Sequence, residues 1–222
     1  MQDEKKKLKI VVGMATCKGR ERHVKKACDS LKHQVDVIHV YDNEKEAVNL
    51  TDNGKFFFLQ YYTDPIYYFS CDDDIFYPPT YIQDTIKLID EYESIITYHG
   101  RILLGTGRNY YKGHMTFRCL GKVNEHAVID VPGTGVTAFR TDFFNPTEIW
   151  SDSRQKMTDL LCGLESAKQG VQIVCAKHEV GYFRDLNAPI STSIYHEQVK
   201  NCDVQNNIAD EIYKIKYFTD NN

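Results

Sequence analysis

Three consecutive aspartates, Asp72, Asp73 and Asp74, directly follow the apolar, aromatic run Ile66–Cys71. Adjacent carboxylates repel, so assembling them is costly unless cations or hydrogen-bond donors compensate. At the end of a buried strand this pattern points to a divalent metal site; the competing reading is a surface turn whose aspartates cap the next helix. Oxygen donors favour Mg2+ or Mn2+ over thiolate-loving metals, and an added imidazole would tilt the choice to Mn2+. His178, just after residues 171–176, is the candidate imidazole, with a structural role as its alternative and His196 as its competitor. A second segment, Pro132-Gly133-Thr134-Gly135, carries two glycines that permit unusual backbone angles or close ligand approach, and a binding loop or a plain turn fits it equally.

Such groups must be positioned by regular elements, and the periodicity supplies them. Residues 8–15 read as a buried strand and 20–33 as a helix with Val24, Ala27, Cys28 and Leu31 on one face. Residues 35–41 read as a second strand ending on Asp42-Asn43, and Asp52-Asn53-Gly54 as a turn. Residues 66–71 form a third strand candidate that runs into the acidic triplet. Pro78-Pro79 precede a helical pattern over 81–92, then a strand at 94–98. Strands are further expected at 127–131, 136–140 and 171–176, a helix over 156–169 stopped by Gly170, and an amphipathic helix over 208–218. Residues 101–122, rich in Gly, Tyr and basic side chains, give no clear pattern.

With these residues in order, the chain resembles the GT-A glycosyltransferases, in particular family 2-like enzymes and the compact glycosyltransferases encoded by large algal (chlorella) viruses. Met14-Ala15-Thr16-Cys17-Lys18-Gly19-Arg20-Glu21 is similar to the family's first strand and loop, and Val40-Tyr41-Asp42-Asn43 to the acidic end of its second strand. Asp72 and Asp74 supply the DxD pair, and Thr158-Asp159-Leu160-Leu161 looks like the motif that positions a base. The likeness covers residues 9–183, and its specificity lies in the order and spacing of the motifs.

The resemblance implies one α/β GT-A domain over residues 1–222, with an open, twisted, mostly parallel central sheet flanked by helices. The nucleotide-binding half would span residues 8–100 and the acceptor half residues 101–222. The implied activity is metal-dependent transfer of a hexose from a nucleoside-diphosphate sugar, a UDP-sugar, to a sugar or glycan acceptor with inversion. Thr16 and Arg20 would line the nucleotide pocket, Asp42 would accept from the base and Lys55 would lie near the nucleotide. Their structural alternatives are a helix cap for Thr16 and solvated charges for Arg20 and Lys55. Asp74 would hold the Mn2+ or Mg2+ and Asp72 a metal-bound water or the ribose, with Asp73 between them among the nucleotide-sugar contacts. Asp159 would be the general base, a helix cap being its alternative. The family often places a second acidic residue beside the base, whereas here Met157 and Thr158 precede it and Glu165 lies well along the helix. Gly133, Thr134 and Gly135 resemble the acceptor-side loop, and Trp150 could stack on the acceptor or serve as core or lid.

Composition excludes several other classes. Lys+Arg number 27 against 31 Asp+Glu, a net charge of −4, so no basic surplus points to nucleic acid. No apolar run approaches the ~18 residues that span a bilayer, and the polar start lacks the apolar core of a signal peptide. Seven cysteines with no CxxC pair read as reduced thiols. A soluble, cytoplasmic protein is therefore expected, in a host cytoplasm if it is viral. Two rival functions share these features: a nucleotidyltransferase of related fold, and a catalytically silent nucleotide-sugar or carbohydrate-binding module whose aspartates hold a structural cation.

Overall fold

The computed structural model describes residues 7–189 and 202–218. His196 lies outside the described residues. The chain opens with β1 (Lys9–Thr16), α1 (Glu21–Leu31) and β2 (Val37–Asp42), followed by a run of 3-10 turns, Thr51–Tyr61. Next come β3 (Ile66–Cys71), β4 (Ile75–Phe76), α2 (Tyr81–Tyr92), β5 (Ile95–Thr97), β6 (Gly100–Leu103) and β7 (His114–Phe117). After these stand β8 (Ala127–Ile129), β9 (Val131–Pro132), β10 (Val136–Arg140), α3 (Thr158–Gln169), β11 (Ile173–Cys175), β12 (Arg184–Asp185) and α4 (Asp203–Phe218).

Seven strands form one mixed sheet in the order β2-β1-β3-β10-β5-β11-β8. β2, β1 and β3 pair in parallel, as do β5 and β11, while β10 and β8 run against their neighbours. Successive side chains of a strand point to opposite faces, and here both faces are covered, so the strands read as continuous apolar runs. Val11, Tyr68, Phe139, Ile95 and Ile173 meet Phe56, Leu160, Leu164 and Ile212 on one face. Val12, Phe69, Ala138, Ile96 and Val174 meet Ala27, Leu31, Tyr81 and Ile89 on the other. Among the described residues no helix is long and apolar enough to cross a membrane.

The expected strand over residues 127–131 is divided. Asp130, 1% exposed, takes the Leu103 N–H at 2.8 Å and pairs with Lys216 at 2.8 Å. A buried carboxylate needs such partners. The chain therefore turns at Asp130, sending β8 to the large sheet and β9 to a three-stranded sheet with β6 and β7. That small sheet is the structure of the patternless segment.

The turn expected at residues 52–54 lies inside the 3-10 run, which is longer than such helices usually are. The run lies against β1, where Gly13 has no side chain: a Cβ there would overlap the Tyr68 hydroxyl and the Lys55 carbonyl, which are hydrogen-bonded to each other. Asn43 closes the approach to the run. Its amide donates to Thr16 O and Thr51 O, both at 3.0 Å, and its carbonyl accepts from Leu50 N at 2.9 Å and Thr51 N at 3.0 Å. All four hydrogen bonds available to an asparagine side chain are made.

Gly13→Ala is expected to lower stability by about 1–3 kcal/mol, the usual cost of overpacking. Urea denaturation followed by circular dichroism measures it; an unchanged midpoint would show that the run does not depend on this contact.

Candidate active-site cleft

Because β1, β2 and β3 run parallel, their carboxyl ends bring Thr16, Asn43 and the three aspartates to one edge of the sheet. Open α/β sheets bind ligands in such crevices. A cleft of about 480 Å³ opens there, and Thr16, Arg20, Lys55, Asp72, Asp73, Asp74, Thr134 and Asp159 all line it. Its size falls within the ~300–1,000 Å³ usual for ligand pockets.

Each aspartate has a different partner. Asp73, 3% exposed, accepts the Thr16 hydroxyl at 2.6 Å and Arg20 Nη1 at 2.5 Å. Asp74 Oδ2 accepts the same Arg20 nitrogen at 3.0 Å. Asp72 pairs with Lys55 Nζ and lies over Gly135, whose missing Cβ leaves the space that carboxylate fills. The Asp72 N–H reaches the Tyr77 hydroxyl at 2.7 Å, and that hydroxyl donates onward to Gly135 O at 2.7 Å. Thr16 therefore caps no helix, and the aspartates lead into β4 rather than a helix start. Arg20 and Lys55, with side chains 13% and 7% exposed, are not solvated charges.

The electrostatics follow from this packing. Burial acts to lower the Lys55 pKa, yet Asp72 and Asp52 outweigh it and hold the ammonium above the ordinary lysine range. At Asp74 burial prevails instead: burial first, then Asp72, raises its pKa to about 6 despite Arg20.

Asp159 sits in the first turn of α3. Its Oδ1 accepts both the N–H and the hydroxyl of Thr134 at 2.8 Å, and its Oδ2 faces Arg101 Nη1 at 3.3 Å. Burial pushes this carboxyl up, but Arg101, the Thr134 N–H and Lys55 more than offset it, so Asp159 is held below the ordinary carboxylate range. It does not cap α3. Asp52 does, accepting Lys156 N at 3.0 Å and Thr158 N at 3.2 Å, while Asn53 takes the Thr158 hydroxyl at 2.7 Å.

Other expected site residues stand apart. Asp42 pairs with Lys45 at 2.7 Å and lines an adjoining hollow that shares Thr16 and Cys17 with the cleft, whereas Asn43 lines the cleft itself. Both ring nitrogens of His178 face backbone carbonyls, Ala176 O at 2.8 Å and Arg118 O at 3.2 Å, and the ring lies outside the cleft, so the imidazole assigned to the metal is not at the aspartates. Trp150 packs edge-on against Phe57 at 5.2 Å, a core contact. Gly133 lies under the His99 ring rather than on the cleft wall, and Glu165 pairs with Lys168 at 3.2 Å. Among the described residues no group of three or more His, Cys, Asp or Glu side chains is arranged to hold a metal ion.

Arg101, Tyr110, Tyr111, Asp52, Lys156 and Gln205 also line the cleft. No local motif marks them, since they arrive from β6, the β6–β7 loop, the 3-10 run, the segment just before α3, and α4. The fold and the cleft thus define an α/β protein with a charge-compensated acidic cluster at the carboxyl ends of parallel strands. No protein-family model matches the chain, and a search of curated proteins finds no match.

The raised pKa of Asp74 carries a stability prediction. Its neutral form is favoured in the folded state, so this stabilisation is complete below about pH 4 and is lost as pH rises through about 6. Asn mimics the neutral form. Asp74→Asn is therefore expected to stabilise the protein by roughly 1–3 kcal/mol at pH 8 and not at all below pH 4. Thermal melts in EDTA across that range test this, and an equal gain at both ends would contradict it.

Proposed function

We propose that the protein is a metal-dependent glycosyltransferase, transferring a hexose from a nucleoside-diphosphate sugar, a UDP-sugar, to a sugar or glycan acceptor with inversion. The observation that carries this reading is the shared wall of the cleft: the Asp72–Asp74 cluster and Asp159 face one space with Lys55 between them.

Asp72 and Asp74 offer oxygen donors, Asp73 between them is taken up by Thr16 and Arg20, and no imidazole is among the described residues lining the cleft. That set suits Mg2+ or Mn2+, hard ions that keep several waters and complete their shells on substrate phosphates, better than a metal needing an all-protein cage. The cleft's charge supports the same conclusion: Asp52, Asp72, Asp73, Asp74 and Asp159 face only Arg20, Lys55, Arg101 and Lys156, so an anionic donor would enter a site already short of positive charge. A bound divalent ion would neutralise the diphosphate as it leaves.

The chain's own residues divide the remaining work. Arg20 fixes Asp73 and Asp74, and Lys55 holds positive charge beside Asp72 in a buried setting. Asp159, kept ionised by Arg101 and the Thr134 N–H, takes the proton of the acceptor hydroxyl through Oδ2, because Oδ1 already accepts two short hydrogen bonds. Attack from the Asp159 side with departure towards Asp72 and Asp74 inverts the anomeric centre.

Two outcomes are expected. Transfer and tight UDP binding require Mg2+ or Mn2+, and undiminished UDP affinity by calorimetry in EDTA would remove the metal from the reading. Asp159→Asn lowers transfer at least ~100-fold while UDP affinity stays near wild type, since an amide keeps the shape and cannot accept the proton. Wild-type transfer by that variant would exclude Asp159 as base, and turnover of a nucleoside triphosphate with a sugar phosphate would instead identify a nucleotidyltransferase.

A further inference from the structure

Ion pairs and hydrogen bonds order the groups along the cleft. Arg20 holds Asp73 and Asp74, Lys55 holds Asp72, Asp72 lies over Gly135, and the adjacent Thr134 holds Asp159. Beyond Asp159 stands Arg101, whose guanidinium lies 5.5 Å from the centre of the Tyr110 ring. Tyr111 packs edge-on against Tyr110 at 5.1 Å. The proton acceptor therefore lies between the aspartate cluster and a tyrosine wall.

That wall is held in place. The β6–β7 loop that carries it is anchored to α4 by Gly107 N to Asp210 at 2.9 Å and Tyr110 N to Asn206 at 2.7 Å, and to Cys202, just before α4, by Asn109 Nδ2 to Sγ at 3.0 Å. Tyr110 is buried, whereas Tyr111 is half-buried and borders the cleft together with Gln205 of α4. An aromatic ring on a fixed loop, flanked by a guanidinium and an amide, suits one ligand class. A pyranose presents an apolar C–H face that packs on a ring, with hydroxyls at its rim for donors and acceptors.

We propose that Tyr111, with Arg101 and Gln205, forms a saccharide subsite that sets the acceptor's ring against the wall and one hydroxyl towards Asp159. This deepens the transferase reading and rests on it only for the word acceptor. The ring could alternatively stack on the nucleobase of a donor. Asn43, which bonds Thr16 O and Thr51 O, marks the side of the cleft beside the end of β1, and the proposal leaves that side to the nucleoside.

The test uses the full chain and simple probes: methyl α- and β-pyranosides of glucose, galactose and mannose, titrated by saturation-transfer NMR, with UDP and Mg2+ titrated separately by calorimetry. At least one pyranoside is expected to bind wild type and Tyr111→Phe alike, and to bind Tyr111→Ala about tenfold more weakly. Tyr111→Leu keeps apolar bulk without a ring and should lose as much, which separates stacking from a collapsed loop; melting curves confirm that each variant folds. UDP affinity should stay within about twofold in all of them. Failure of every pyranoside to bind wild type, equal binding by Tyr111→Leu, or loss of UDP affinity in the ring-less variants each overturns the proposal, the last by placing a base on the ring. Tyr111-dependent pyranoside binding in a protein that neither binds nor turns over UDP-sugars would keep the subsite and remove the transferase.

Discussion

Like charges a few ångströms apart repel strongly where water is scarce, so Asp72, Asp73 and Asp74 all require counter-charge close by. Arg20 serves Asp73 and Asp74 from the start of α1, and Lys55 serves Asp72 from the 3-10 run. The placement of both elements follows from this demand. α1 must begin where Arg20 can reach past the end of β1, and residues 51–61 must lie against β1 closely enough to bury a lysine. Gly13 makes the second approach possible, and the Tyr68 hydroxyl fixes it by bonding the Lys55 carbonyl.

The same 3-10 run joins the two ends of the cleft. Lys55 reaches the aspartates, while Asp52 and Asn53, two or three residues earlier, satisfy the N-terminus of α3, where Asp159 sits. The first turn of a helix leaves backbone N–H groups without partners inside the helix, and here the partners come from a segment distant in sequence. Movement of the run would therefore disturb the aspartate cluster and the α3 carboxylate together. The arrangement couples the aspartate-cluster part of the cleft to the part that holds Asp159.

Two carboxylates in this cleft are driven in opposite directions by their surroundings. Asp74 is raised to about 6 by burial and its acidic neighbours, and Asp159 is lowered by Arg101, Thr134 and Lys55 in spite of burial. Divergent settings of this kind mark groups with different tasks. A carboxylate that ionises reluctantly gains most from a cation, whereas Asp159 is held in its charged form from both sides, by Arg101 at Oδ2 and by the Thr134 N–H and hydroxyl at Oδ1.

The sequence alone determined the strands and helices whose pattern is local. Residues 66–71, 81–92 and 136–140 are seen with the bounds their periodicity gives, because both faces of each strand and one face of the helix are apolar. It also marked Thr16, Arg20, Lys55, the aspartate triplet, Thr134 and Asp159, which the structure gathers in one cleft. Tertiary structure decided the rest. Asp42 ends β2 and Asn43 opens the turn after it, so only the packed chain shows which of them lines the cleft. His178 follows a buried strand as a ligand might, yet the two carbonyls that face its ring belong to Ala176 and to Arg118, 60 residues earlier in the chain. Arg101, Tyr110, Tyr111 and Gln205 carry no motif at all; they reach the cleft because α4 packs on α3 and anchors the β6–β7 loop through side chains more than 90 residues away, a distance over which local periodicity holds no information.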